Sequence, residues 1–165
     1  MSHDNARRSS IGRIEAATVL SELAGMQITK TWLSVGSTIF LELGKLCETS
    51  LPSGNRMESG EATIFIEWDW RVERPRSIEF GSTSSERRLK SGIQRLVGRR
   101  VREITVDGRL PELTIALSGN RWLRSFMTDA SQPMWHVFLK DRSCLFVERG
   151  RLRRETYHEG VSAVP

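Results

Sequence analysis

The chain has 165 residues, of which 38% are hydrophobic, 27% charged and 7% aromatic; this mix suits one globular domain and excludes a disordered polyelectrolyte. No apolar run approaches the roughly 18 to 20 residues of a membrane-spanning helix, and residues 1–10 lack the apolar core of a secretory signal, so a cytoplasmic protein is expected. Lys and Arg number 25 against 20 Asp and Glu, a formal charge of +5.

Residues 1–8 and 156–165 read as tails. Ser9 and Ser10 precede a helical pattern in which Ala16, Leu20 and Leu23 share one face, and Gly25 is placed as its left-handed C-cap. Strands follow over 26–33 and 38–43, the second with Ile39, Leu41 and Leu43 alternating before a tight turn at Gly44. The stretch 48–60, rich in Ser, Gly and Pro, reads as an exposed loop. Beyond it, Ile64, Ile66, Trp68, Trp70 and Val72 fall on one face of a single long strand, and a shorter strand covers 77–80.

A second helix opens at Ser82–Ser85, with Thr83 and Glu86 at capping-box spacing. Its apolar stripe is Leu89, Ile93 and Leu96, and Gly98 ends it. Strands are expected at 101–106, 113–117, 134–139 and 144–147, with Asp107-Gly108 and Gly119 in turns.

At an offset of 73 residues, Ala16, Leu20, Leu23, Gly25 and Ile28 correspond to Leu89, Ile93, Leu96, Gly98 and Val101. This predicts an α+β fold of two pseudo-symmetric repeats, about 9–81 and 82–155, each one helix plus four or five antiparallel strands. Neither copy alone would bury much core, so the two are expected to pack as one β-rich domain.

The charge is uneven. Arg87, Arg88, Lys90, Arg95, Arg99, Arg100 and Arg102 carry +7 with no acid among them, more than the whole net charge. Such a run is the candidate binding patch, suited to an acidic protein surface or to nucleic-acid phosphates. Gly81–Ser85 at a helix start could cradle a phosphate, but its Ser-rich counterpart before the first helix favours simple capping, and Gly-Lys-Ser/Thr is missing.

Catalytic chemistry has little support. His136 stands on a strand out of phase with Trp135, Val137 and Leu139, and Glu67 and Asp69 share a face that continues as Arg71 and Glu73, the pattern of a solvated strand. Only a spatial convergence of these three would suggest a hydrolase. Cys47 and Cys144 lack metal-ligand spacing and read as buried thiols. Trp68 and Trp70 read as core; Trp32, Trp122 and Trp135, near strand ends, include a candidate exposed anchor. No catalytic residue, metal ligand or cofactor is assigned.

Leu23-Ala24-Gly25 with Leu96-Val97-Gly98, Leu41-Glu42-Leu43-Gly44 with Leu117-Ser118-Gly119, and Trp70-Arg71-Val72 together resemble a family of small bacterial domains of unknown function, some near toxin–immunity loci. The resemblance implies a duplicated helix-plus-strands scaffold and an immunity-like, protein-binding role. Nucleic-acid binding through 87–102 is the alternative.

Overall fold

The computed structural model describes residues 7–50, 56–129 and 134–157. Its elements in chain order are β1 (Arg7–Ser10), α1 (Arg13–Ser21), β2 (Ile28–Leu33), β3 (Ile39–Leu43), β4 (Cys47–Ser50), β5 (Arg56–Ser59), β6 (Ala62–Ile66), β7 (Trp70–Arg74) and β8 (Ser77–Gly81). Then come α2 (Glu86–Gln94), β9 (Val101–Asp107), β10 (Glu112–Leu117), β11 (Arg121–Ser125), β12 (Trp135–Phe138), β13 (Ser143–Glu148) and β14 (Arg151–Thr156).

The strands form three antiparallel sheets: β1-β14-β13-β12-β6-β3-β2, β8-β7-β11-β10-β9, and the hairpin β4-β5. Strand makes up 51% of the described residues, and two short helices accompany it there, so the α+β expectation is corrected to a β-rich fold. Nor are helix-plus-strands repeats evident as separate units among the described residues. Strands from the two halves pair inside each large sheet, β6 with β12 in one and β7 with β11 in the other. Backbone groups left open at the edge of one half are satisfied by the other, so neither half closes a sheet by itself.

The 73-residue offset holds for the two helices, Arg13–Ser21 and Glu86–Gln94, for the starts of β2 and β9, and for the helix-to-strand turns between them. Gly25 and Gly98 both sit at φ +87°, where a Cβ would be strained. The Gly25 N–H donates to Val101 O (2.8 Å) and the Gly98 N–H to Ile28 O (2.8 Å), while Val101 N–H donates to Met26 O (2.9 Å) and Ile28 N–H to Arg99 O (2.8 Å). These bonds stitch the start of β2 to the start of β9.

One apolar core lies between the two large sheets. Ile39, Leu41, Ile64, Ile66, Trp135, Val137 and Leu145 face it from one side, and Trp70, Val72, Phe80, Ile104, Leu113, Ile115 and Leu123 from the other. α1 adds Ala16 and Leu20, and α2 adds Leu89 and Ile93, the stripes expected from their spacing. Gly92 lets α2 approach closely, since a Cβ there would lie 2.8 Å from the Phe80 ring.

The far face of the seven-stranded sheet is apolar too. Trp32, Phe40, Phe65, His136 and Phe146 stand opposite one another on successive strands. Their rings meet in sequence, from 3.6 Å between the Trp32 and Phe40 centroids to 5.3 Å between His136 and Phe146. Beside this row Glu42 is fully buried, and its carboxylate accepts from Trp32 Nε1 (3.0 Å), Gly60 N (2.8 Å) and Thr63 Oγ1 (2.6 Å). Three donors compensate the desolvation of that charge.

Several local expectations change. Ser9 and Ser10 belong to β1, and Gly12 caps α1. Arg7 and Arg8, expected in a tail, pair with Thr156 and Glu155; residues 1–6 and 158–165 lie outside the described residues. The 48–60 stretch contains the β4-β5 hairpin rather than only a loop, its tip 51–55 also lying outside. The strand expected over 64–72 is two strands in different sheets, broken at Trp68, whose φ is +58°.

Candidate functional site

The break at Trp68 builds an exposed corner. Continued alternation after Ile64 and Ile66 would turn the Trp68 ring into the core. The left-handed backbone instead turns it outward, leaving it 60% exposed, and returns Trp70 and Val72 to the core in the second sheet. Holding a non-glycine residue there costs about 1 kcal/mol. The turn 34–38 is fastened to this corner: Ser37 Oγ donates to Trp68 O (3.3 Å) and Trp70 Nε1 donates to Ser37 O (2.7 Å). On that turn Val35 is 90% exposed. Asp69 accepts from Thr128 Oγ1 (2.8 Å) and, through its carbonyl, from Phe126 N (3.0 Å). Neighbouring Glu67 is partly buried, which raises its carboxyl above the ordinary range.

Of the other tryptophans, Trp70 and Trp135 are fully buried, and Trp122 and Trp32, the latter stacked on Phe40, are partly buried. The exposed aromatic is therefore the one that periodicity assigns to the core.

The basic run 87–102 parts into three groups. Arg88 and Arg95, on one face of α2, converge on Glu79. Arg88 Nη2 donates to Glu79 O, and Arg95 Nε lies 3.4 Å from Glu79 Oε1. Arg74 Nη2 reaches the same Oε1 at 3.1 Å, and Arg121 Nε donates to Oε2. Glu79 is the extra residue of a bulge in β8, between Ile78 opposite Glu73 and Phe80 opposite Val72, and its side chain is only 7% exposed. Hydrogen bonds from Arg74 and Arg121, outweighing the opposing effect of burial, hold its carboxyl at about 2, against an ordinary 4.5.

A second group is spent on backbone: Arg99 donates to Ser118 O (2.8 Å) and Arg95 O (3.1 Å), and Arg100 to Gly25 O (2.9 Å). The third is exposed. Lys90 pairs with Glu86 at 2.6 Å, Arg87 lies on the outer side of α2, and Arg102 lines a groove between α1 and β9 with Arg13 and Ile14. Sequence inspection cannot find this partition, because Arg74, Glu79 and Arg121 lie outside the run.

His136, Glu67 and Asp69 do not form an acid–base set. The His136 imidazole contacts the rings of Phe65, Phe138 and Phe146, and its buried Nδ1 has no hydrogen-bond partner among the described residues. Burial, assisted by the charge of Arg8, lowers it to about 4 from 6.5. Asp69 is engaged with Thr128. At Gly81–Ser85 the Ser84 Oγ accepts from Gly81 N (3.0 Å), a local turn, and no side chain caps α2. Both cysteines are free thiols; Cys144 is buried as expected, whereas Cys47 is exposed.

Among the described residues no group of three or more His, Cys, Asp or Glu side chains is arranged to hold a metal ion, and no helix is long and apolar enough to cross a membrane. No family model matches the chain, and no curated protein or solved structure matches it either.

Proposed function

We propose that the protein is a non-enzymatic protein-binding module whose docking corner is built from the turns 34–38 and 67–69, with Trp68 as the anchor. The supporting observation is an indole left 60% exposed on a backbone held at φ +58°. Strain of this kind persists only where surrounding structure imposes it, and it clusters at functional positions. A large, rigid aromatic side chain also supplies contact area at small entropic cost.

The resemblance to domains near toxin–immunity loci makes a toxin the partner class to test first. A cytoplasmic setting is part of this reading, supported by two unpaired thiols. The nucleic-acid alternative through 87–102 stays second, because phosphate tracking favours a continuous basic stripe and the run parts into three groups.

The test is co-purification from the native host with wild type and Trp68→Ala, followed by affinity measurement with the protein recovered. A central tryptophan anchor is worth about 2 kcal/mol or more, about 30-fold in affinity. Equal binding by a Trp68→Ala variant with an unchanged circular dichroism spectrum would refute the corner as the docking site.

A further inference from the structure

We propose that the arginine cluster around Glu79 is a binding site for a phosphate monoester group. Three guanidiniums, from Arg74, Arg95 and Arg121, pair with the Glu79 carboxylate and a fourth, from Arg88, donates to the Glu79 backbone carbonyl, so the four arginines and Glu79 together carry a net charge of +3. Nearby carboxylates do not offset it, since Glu73 is paired with Arg71 (2.6 Å) and Glu86 with Lys90 (2.6 Å).

The donors are likewise in excess. Each guanidinium carries five N–H groups, yet hydrogen bonds from these four residues to described residues number six, three of them from Arg121. The side chains of Arg74 and Arg95 are both 49% exposed, whereas that of Glu79 is 7% exposed, so Glu79 holds the cluster from the buried side. Glu79 is thus a positioning residue that pre-arranges the guanidiniums.

A phosphate monoester matches this arrangement in three respects. It carries close to two negative charges at neutral pH and three strong acceptor oxygens, and guanidinium forks pair with it bidentately. The guanidiniums gather around one residue rather than following a line, which suits a single phosphate group better than a nucleic-acid backbone. The site is remote in sequence from the Trp68 corner and does not depend on it.

The test is calorimetric titration with inorganic phosphate and with O-phosphoserine at constant ionic strength, using the full chain. Saturable binding is expected, tightening as pH rises through about 6 with the second phosphate ionisation. Arg95→Ala should weaken it about tenfold or more, Arg95→Lys should fall between that and wild type, and Lys90→Ala should leave it unchanged. A preference for O-phosphoserine assigns an organic monoester, and equal affinity assigns free phosphate. The proposal is overturned by a response that follows ionic strength alone, or by Arg95→Ala matching wild type while both remain folded. It is also overturned if a single-stranded RNA oligonucleotide binds and Arg87→Ala and Arg102→Ala weaken it as much as Arg95→Ala, which would make the phosphate reader a dispersed surface.

Discussion

Glu79→Gln keeps the size of the side chain at the centre of the arginine cluster and removes its charge. In the folded protein the carboxyl is held at about 2, against 4.5 ordinarily, a depression worth about 3 kcal/mol at neutral pH. Arg74 and Arg95 are half-exposed, and screening by solvent reduces this to about 2 kcal/mol. Because the folded value is depressed, this stabilisation is complete above about pH 5 and is lost as pH falls toward 2. Urea unfolding of wild type and Glu79→Gln at pH 7 and pH 3 reads it directly. The other carboxylates titrate alike in both proteins, so the gap between them isolates Glu79. It should be about 2 kcal/mol at pH 7 and smaller by about 1 kcal/mol at pH 3. A gap that does not change with pH, or its absence at pH 7, would refute the assignment of Glu79 as the ionised hub.

Other outcomes test other parts of the fold. Replacing Gly92 by Ala should raise stability by about 1 kcal/mol on helix propensity alone, but its Cβ would meet the Phe80 ring at 2.8 Å, and overpacking of this kind costs about 1 to 3 kcal/mol. A lower thermal midpoint is therefore expected, and a higher one would show that α2 has room to shift. His136 is held neutral, lowered to about 4, so wild type should lose stability as pH falls from 6.5 to 4. His136→Phe, which extends the ring row and removes the unpartnered Nδ1, should lose that slope in melts at pH 7.5 and 5; an identical slope contradicts the buried imidazole. A thiol reagent should modify one cysteine in the native protein, Cys47, and both after unfolding, since burial raises the Cys144 thiol far above its usual range; two fast thiols in the native state would contradict this.

Local patterns proved reliable where local physics decides. The stripe Leu89, Ile93 and Leu96 and the alternations Ile39, Leu41, Leu43 and Leu113, Ile115, Leu117 are buried as spacing predicts. The pairings β6 with β12 and β7 with β11 depend on which edges meet across the core, and periodicity carries no term for that. Trp68 defeats the period-two count because one left-handed residue reverses the face of its own side chain. In the candidate phosphate site, Arg88 and Arg95 were visible as neighbours seven apart on a helix. Glu79, which gathers them, sits at a bulge that nothing in Ser77-Ile-Glu-Phe80 announces.

The pairing of β1 with β14 and of β6 with β12 also sets an order of events during synthesis. Phe40 and Phe65, buried in the finished sheet, belong to strands made long before the aromatic row can be completed by His136 and Phe146. Until β12 has left the ribosome, β6 has no partner on its far side, and an apolar sheet edge stays open. Chains with such non-local pairing fold slowly and are prone to aggregate while incomplete. A stalled or truncated chain ending before β12 is thus a natural substrate for chaperones, whatever the finished protein binds.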